Sequence, residues 1–321
     1  MRTNGPTVTV VIVAKRAEKT IGSLFESLER QTYRPKETIL VIDSLDDPTV
    51  DIASSFQAKI VESRVGGIGA ARFEGVEAAT GDIIAFTDSD CVADDHWLEA
   101  FALGFHHRKD ILAQAGRTVD RESELEVVDF ATGLNPEMDG WVDFAETQNI
   151  CFKRSLFEIV GNFDPDFAQG GEDLDFCMRV KKKGYRIHTN SSAVVLHLRH
   201  EGWAKTAWRD GKSTAKNFLK HGRILIGAAT VKLGNSICLL TSLVLLGFGM
   251  YVMALLVFSP SIIHRTYRAL IKLKRGLGFR YVFNTIVLGY VSSISFLVFI
   301  LPLALRPSSK SKGSGRSGST S

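Results

Sequence analysis

The chain has 321 residues, of which 45% are hydrophobic and 23% charged, and its formal net charge is +4. That length suffices for one large or two modest α/β domains. Basic residues occur throughout the C-terminal third, which favours an anionic membrane surface over nucleic acid as a partner. None of the four cysteines forms a C-x-x-C pair, which argues against a zinc or thiol-redox motif and favours free thiols in a reducing compartment.

The first 90 residues alternate apolar runs with helical patterns. Val8–Ala14 (VTVVIVA) is a run of β-branched residues, typical of a strand buried on both faces of a parallel sheet. The predicted strands are 8–14, 38–42, 59–62 and 82–87, and the helices between them are 18–31, 48–56 and 69–79. This alternation predicts βαβ units and an α/β fold. The apolar stretch at the N-terminus is too short for a signal peptide, so we expect a cytoplasmic first domain.

The pattern is less regular between residues 97 and 200. The predicted elements there are helix 97–108, strand 111–119, strand 147–152, helix 155–160, helix 173–183 and at least one strand within 186–198. Residues 125–143 show no clear period. We assign residues 1–200 to one domain.

Two apolar stretches, 235–258 and 281–305, each reach the roughly 20 residues that a membrane-spanning helix needs. We therefore predict a membrane region over 235–305. A basic and aromatic juxtamembrane segment precedes it over 201–234, and a disordered tail rich in Ser, Gly and Lys follows over 306–321.

The topology of this region has two solutions. A two-span hairpin places the loop 259–280 outside the cell, although its six basic residues and the interfacial helix pattern of 262–274 oppose that side. Alternatively, 224–258 folds as a re-entrant or double pass and leaves the loop on the cytoplasmic face. We expect the two-span arrangement, and hence a multi-pass membrane protein.

Three short motifs carry residues suited to chemistry. Asp88-Ser89-Asp90 follows a buried strand, at the edge where open α/β sheets bind ligands, and its two carboxylates can share a divalent cation. Residues 66–72 form a glycine-rich entry to a helix that could cradle a pyrophosphate. Residues 170–175 place two glycines before acidic residues that begin a helix, where a carboxylate can act as a general base. The plainer interpretations are a solvated turn, a flexible loop and a helix cap.

Taken in order, these motifs and their surroundings resemble the family 2 glycosyltransferases, which have the GT-A fold. The similar blocks are TVTVVIVAKRAEKTIGSLFESLERQTYRPKETILVIDS, GGIGAARFEGVEAATGDIIAFTDSDCVADDHWLEA, TQNICFKRSLFEIVGNFDPDF and GGEDLDFCMRVKKKGYRI. They extend over about residues 7–200. The resemblance implies a Rossmann-like, mostly parallel sheet flanked by helices, followed here by C-terminal transmembrane helices.

The resemblance also implies roles for single residues. Asp43 occupies the position where the family contacts the base or ribose of the donor. Asp88 occupies the position that contacts the ribose or a metal-bound water, and Asp90 occupies that of a direct metal ligand. Asp173 matches the catalytic base, and His197 a further metal ligand. The other candidate donor-binding residues are Arg72 and Glu172.

The chain departs from the family pattern at three places. The first strand ends in Ala14-Lys15-Arg16, Ser44 replaces the second acid of the pair after the second strand, and Phe73 replaces an asparagine. These changes leave the base of the donor nucleotide unassigned. They do not affect the metal-binding and base motifs.

The function implied is an inverting transfer of a sugar from a nucleoside-diphosphate sugar to a membrane-associated acceptor, either a lipid-linked glycan or a polyprenyl phosphate. Mg²⁺ or Mn²⁺ on the carboxylates would neutralise the departing diphosphate. Two alternatives are a nucleotidyltransferase on a similar sheet and a membrane-tethered subunit that binds sugar nucleotides without turnover. The basic and aromatic residues between 203 and 223 are expected to contact lipid head groups, or to hold the phosphate of an acceptor lipid.

Overall fold

The computed structural model describes residues 5–120, 139–198, 203–222, 226–247 and 290–300, together with 249–250, 253, 256–259 and 261–263. The strands are β1 (Val8–Ala14), β2 (Glu37–Ile42), β3 (Lys59–Glu62), β4 (Ile83–Asp88), β5 (Cys91–Ala93), β6 (Ala113–Asp120), β7 (Trp141–Val142), β8 (Asn149–Lys153) and β9 (Ile187–His197). The helices are α1 (Ile21–Glu29), α2 (Thr49–Ser55), α3 (Ile68–Ala78), α4 (Trp97–His107), α5 (Arg154–Val160), α6 (Glu172–Lys182), α7 (Trp203–His221), α8 (Ile226–Gly247) and α9 (Tyr290–Ile300).

The half of the sheet formed by the first four strands is parallel, as predicted. Its order is β3-β2-β1-β4, and α1, α2 and α3 make the connections. Six of the seven residues of β1 are buried, because core side chains cover both faces of this strand. The register pairs Val13 with Asp88 and Ala14 with Ile42, so β1, β2 and β4 end at one edge.

The other half of the sheet is mixed, so the prediction of a mostly parallel sheet is wrong beyond β4. Of the eight strand pairings among the described residues, four are antiparallel. The strand β8 is as buried as a parallel strand, so its composition does not reveal its direction. The strand β5 has three residues, too few for a readable period, and was not predicted.

Aromatic packing fixes α6 against the sheet. The ring centroid of Phe176 in α6 lies 4.7 Å from that of Phe163 and 5.0 Å from that of Phe152 in β8. Trp97 and Phe101 of α4 are fully buried in a separate core cluster. Burying such a side chain contributes about 1.5–3 kcal/mol. The start of α6 therefore has a defined position relative to the strand ends.

The apolar C-terminal helices differ in extent from the predicted spans. The helix α8 begins before the predicted span 235–258 and ends at Gly247. It ends there because Gly249 takes a φ of +72°, and the backbone N–H groups of Gly249 and Met250 donate to the carbonyls of Leu246 and Leu245. Among the described residues, α8 alone has the length and hydropathy to cross a bilayer, over Thr230–Gly247. The described part of the predicted second span is the shorter α9. The predicted tail lies outside the described residues, as does most of the loop 259–280.

Candidate active site

The ends of β4 and β9 bring two predicted metal ligands together. The strand β5 pairs with β9 so that Cys91 lies opposite His197, which places the preceding residue beside the imidazole. The distance from Nε2 of His197 to Oδ1 of Asp90 is 3.3 Å. The ligand atoms of Asp90, Cys91 and His197 all lie within 4.8 Å of one another. The strand-end histidine is therefore next to the second acid of the D-x-D motif.

The chemistry of these side chains fits a hard divalent cation. Cys91 is fully buried, and burial raises the pKa of its thiol, so the thiol stays protonated and is a poor ligand. Asp90 and His197 both retain some exposure to solvent. They offer carboxylate oxygens and one imidazole nitrogen, donors that Mg²⁺ or Mn²⁺ accepts. Asp88 is not in this group of ligand atoms and faces Arg72, so its role as a metal ligand stays a prediction.

The side chain of Asp88 is 37% exposed. The surrounding protein removes water from the carboxylate and raises its pKa, and the charge of Asp90 adds to this effect. The positive charge of Arg72 opposes the rise, with 3.6 Å between its Nη2 and Oδ1 of Asp88. A cation bound at this edge would offset the repulsion between the two carboxylates.

A buried ion pair links this edge to the start of α6. Nη1 of Arg72 in α3 contacts Oε1 of Glu172, and both side chains are almost completely buried. The same guanidinium faces Asp88 at the end of β4. The pair therefore joins three elements, and its burial indicates that it holds the site together. Direct contact of Arg72 or Glu172 with a donor stays a prediction.

Asp173, the predicted base, lies next to this pair on the first turn of α6. Its Oδ1 accepts a hydrogen bond of 2.7 Å from the backbone N–H of Leu174. Burial raises the pKa of this carboxyl group, against the opposing charges of Arg72 and Arg209. A raised pKa makes a carboxylate a stronger proton acceptor, so the position suits general-base chemistry.

The glycine-rich loop before α3 packs against the segment that leads to α6. Gly67 has a φ of +91°, and a Cβ there would come within 2.7 Å of Ala168. The backbone N–H groups of Ile68 and Gly69 donate to the carbonyls of Ala168 and Phe167. These two N–H groups already donate to carbonyls of the protein. The prediction that they bind a pyrophosphate is therefore wrong. The loop instead fixes the approach to α6.

Asp43 follows β2, two strands away from β4. Its Oδ2 lies 2.9 Å from Nζ of Lys15, near the protein surface. With strands about 4.8 Å apart, the ends of β2 and β4 are separated by roughly 10 Å. Asp43 thus lies at the predicted edge of the sheet but in no described contact with the acidic cluster. Its role at the base or ribose stays a prediction.

Sequence reasoning missed a further contributor, the helix α7. Nδ2 of Asn217 donates to the carbonyl of Gly171 at 2.9 Å. Nζ of Lys220 lies 2.6 Å from Oδ2 of Asp164. The basic side chains expected to contact lipid therefore include some that hold α7 against the segment carrying Asp173. The available signal was the spacing of the cations at 209, 212, 216 and 220, which places them on one helix face.

Comparison with known proteins agrees with this architecture. Residues 9–157 match the family model for Glycosyl transferase family 2. A glucosyl-dolichyl phosphate glucuronosyltransferase of Haloferax volcanii is 27% identical over 227 residues, which cover 63% of this chain and 72% of that protein. The uncharacterized glycosyltransferase EpsJ of Bacillus subtilis is 34% identical over 216 residues, or 60% of this chain and 61% of that protein.

Solved structures show the same fold. The mannosyltransferase PcManGT from Pyrobaculum calidifontis, in complex with GDP-Man and Mn²⁺, has a TM-score of 0.61 and 19% identity, covering 93% of this chain and 88% of that one. The S. aureus TarS 1–349 structure with UDP-GlcNAc has a TM-score of 0.53 and 18% identity, covering 66% of each chain. At such identities the likeness concerns the fold alone.

The mixed sheet with an acidic strand edge defines an α/β protein of the GT-A type. The chain is a glycosyltransferase, and its residues 9–157 are similar to the model of glycosyl transferase family 2.

Proposed function

We propose that this enzyme transfers a sugar, with inversion at the anomeric carbon, from a nucleoside-diphosphate sugar to a membrane-associated acceptor. The observation that carries the proposal is the convergence of two acidic motifs on one edge of the sheet. The buried Arg72 contacts Glu172 at the start of α6 and lies 3.6 Å from Asp88. A candidate metal-binding motif and a candidate base are thereby held side by side.

The donor class rests on the site and on the fold neighbours. Two solved structures of similar fold contain UDP-GlcNAc and GDP-Man, respectively. In this chain, Asp88, Asp90 and His197 would hold a divalent cation. When bound, such a cation neutralises the charge that develops on a departing diphosphate. Asp43 would contact the nucleoside at the far side of the same edge.

Asp173 would act as the general base. Its carboxylate would remove the proton of an acceptor hydroxyl on the face of the sugar opposite the leaving diphosphate, which gives inversion. A positioned base contributes typically 10²–10⁴-fold to the rate. Arg72 and Glu172 would fix the first turn of α6, and with it the position of this carboxylate, relative to the strand ends.

The membrane-associated acceptor is supported by the C-terminal helices. The carboxylate of Asp210 in α7 contacts Lys232 of α8 and Ser292 of α9. The same helix contacts the turn before Asp173 through Asn217. An acceptor held in a bilayer by its lipid would arrive beside the base. The name of the Haloferax volcanii relative includes a glucosyl-dolichyl phosphate, a lipid-linked sugar, which agrees with such a substrate class. We propose a multi-pass membrane protein with a cytoplasmic catalytic domain.

The experiment is a product assay on the full-length protein in detergent. Nucleotide sugars are supplied with Mn²⁺ and with either a polyprenyl phosphate or a lipid-linked sugar. Release of a nucleoside diphosphate together with a glycosylated lipid is the expected result. Release of pyrophosphate would identify a nucleotidyltransferase, and binding without turnover would identify a non-catalytic subunit. Asp90→Ala serves as the inactive control.

A further inference from the structure

The turn that leads into the candidate base is formed by two glycines. Gly170 and Gly171 have φ values of +104° and +92°, in the left-handed region that favours glycine. Asp173 follows them on the first turn of α6. Glycines reach such angles without strain, but they also leave the backbone free to adopt many others. The orientation of the first helical turn therefore depends on contacts made by other elements.

Two elements supply these contacts. From α3, Arg72 contacts Glu172. From α7, Nδ2 of Asn217 donates to the carbonyl of Gly171 at 2.9 Å. That carbonyl also accepts the backbone N–H of Asp175 at 3.0 Å, the first bond of the helix. The amide of Asn217 is therefore bonded to the carbonyl at which α6 begins, two residues before the base.

The amide of Asn217 has a fixed position, because α7 is closely packed on two sides. The side chain of Asn217 is completely buried. A Cβ at Gly171 would collide with Ser213, one turn earlier in α7. On another face of the helix, a Cβ at Gly211 would collide with the carbonyl of Ser292 in α9. The backbone of α7 thus lies directly against both the turn before the base and α9.

Stability alone does not explain an asparagine at position 217. Its Oδ1 is buried and has no hydrogen-bond partner among the residues that the structure describes. A buried acceptor without a partner destabilises the folded state, whereas an apolar side chain of similar size carries no such penalty. The carbonyl of Gly171 would still be bonded to the N–H of Asp175 if the amide were absent. The contact is therefore better explained by the orientation that it gives to α6.

We propose that Asn217 is a positioning residue, whose amide fixes the first turn of α6 and with it the carboxylate of Asp173. This inference rests on the proposed function, which takes Asp173 as the general base. A catalytic group displaced by about 1 Å can lose roughly 100-fold in rate. Because Asn217 is enclosed by the protein, its effect on the rate passes through Asp173.

The test is a double-mutant cycle on the full-length protein in detergent, with a lipid-linked sugar as the acceptor. Asn217→Ala removes the amide. Asn217→Leu removes it while keeping most of the side-chain volume, in case the smaller alanine destabilises the fold. Each change is made in the wild type and in Asp173→Asn.

The matched control is Ser236→Ala in α8. Ser236 is also completely buried. Its Oγ donates to a carbonyl of its own helix and to that of Ser293 in α9, as the amide of Asn217 donates to Ser213 and Gly171. The control therefore removes equivalent hydrogen bonds at a helix contact that does not include α6.

In the wild-type background, both Asn217 variants should lower kcat by about 10- to 100-fold, with an unchanged Kd for UDP or GDP in the presence of Mn²⁺. In the Asp173→Asn background, the same variants should change kcat by less than about twofold, because no base remains to be positioned. Ser236→Ala should lower the Tm and leave kcat unchanged in both backgrounds.

Hydrogen exchange reports on the turn without any turnover. Measured by mass spectrometry, the backbone N–H groups of residues 172–176 should exchange faster in both Asn217 variants than in the wild type. The N–H groups of α3 should exchange at the same rate in all three proteins.

Four results would overturn the inference: wild-type kcat in both Asn217 variants, an equal loss of kcat in the Asp173→Asn background, an equal loss in Ser236→Ala, or unchanged hydrogen exchange at the start of α6. Wild-type protein that transfers no sugar, or Asp173→Asn protein as fast as wild type, would instead contradict the proposed function and its choice of base.

Discussion

Aspartates cluster in two regions of the molecule, the contact between α6 and α7 and the acidic edge of the sheet. Their surroundings in these two regions are very different. At the contact, Asp175 is fully buried and has three basic residues around it. Its carboxylate lies 3.0 Å from Nε of Arg179, 2.7 Å from Nζ of Lys220 and 2.7 Å from Nε2 of His221. The protein itself satisfies this carboxylate, which then has no capacity for a ligand.

The acidic edge consists of Asp88 and Asp90, with Asp173 of α6 beside it. The basic side chains of the protein compensate these carboxylates less completely than they compensate Asp175. Loss of water raises the pKa of both Asp88 and Asp173. The guanidinium of Arg72, which faces them, already contacts Glu172. Carboxylates left with such raised pKa values are suited to bind a cation or accept a proton. The comparison separates aspartates that maintain the fold from those available for chemistry, and substitutions can test that separation.

The largest expected effect is that of Asp173→Asn on the rate. With a hydroxyl acceptor, kcat should fall by roughly 10²–10⁴-fold, because the amide keeps the shape of the side chain but accepts no proton. The Tm should stay unchanged or rise, since burial disfavours the charged carboxylate. Donor affinity should also be unchanged. Single-turnover kinetics, nucleotide titration and thermal melts measure the three quantities.

The acceptor decides how this result is interpreted. A phosphate acceptor is already anionic at neutral pH and needs no base, so a small loss of rate points to that class. A collapse of donor affinity would show that Asp173 lies in the donor half of the site, against our assignment.

Asp90→Ala should lose both Mn²⁺ binding and activity, with a rate reduced by about 10²-fold or more. The reason is that it removes a carboxylate at the centre of the acidic edge, 3.3 Å from His197. Electron paramagnetic resonance of Mn²⁺ measures binding independently of turnover. The matched control is Asp164→Ala at the α6–α7 contact, which should bind Mn²⁺ normally. Full activity of Asp90→Ala in excess chelator would exclude the metal site.

Asp175→Asn should show the opposite behaviour, a loss of stability. Removing the charge leaves Arg179, Lys220 and His221 without their shared partner, at a cost of about 2–4 kcal/mol. Thermal melts of the full chain should show a Tm lower by roughly 5–15 °C. Asp164→Asn, whose partly exposed carboxylate pairs with Lys220, should cost less than about 1 kcal/mol. Equal Tm values for Asp173→Asn and Asp175→Asn would remove the distinction between the two regions.

The smallest expected effect concerns pH and His221. Burial lowers the pKa of its imidazole, although the hydrogen bond to Asp175 opposes this and Lys182 and Lys220 reinforce it. Below the ordinary value of 6.5, the unfolded chain binds a proton that the folded chain resists. The stabilisation that the neutral imidazole of His221 contributes is therefore fully present above pH 6.5. It is lost as the pH falls through the lowered pKa of the folded state.

The measurement is Tm against pH between 8 and 5 for wild type and His221→Gln. Glutamine can still donate a hydrogen bond to Asp175 but does not titrate, so its Tm should fall less steeply. Parallel curves for the two proteins would show that His221 does not titrate in this range.

The sequence by itself determined the parallel half of the sheet and the positions of its acidic motifs. The run Val8–Ala14 predicted β1 with the correct bounds, and the apolar run ending at Thr87 placed Asp88 at a strand end. Both follow from local rules, because burial on two faces needs a continuous apolar run and a charge there ends the strand. The two glycines before Glu172 likewise predicted the start of α6.

Only the tertiary structure decided which distant residues meet. Arg72 and Glu172 are 100 positions apart in the sequence, and no local pattern pairs an arginine in one helix with a glutamate in another. The direction of β8 depends on its partners β4 and β6, not on its own composition. The basic face of α7 is visible in the sequence, yet lipid and an acidic protein segment attract it equally. Its packing along residues 164–175 was settled by close contacts such as that between Asn217 and Gly171, which exist only once both helices have reached the folded domain.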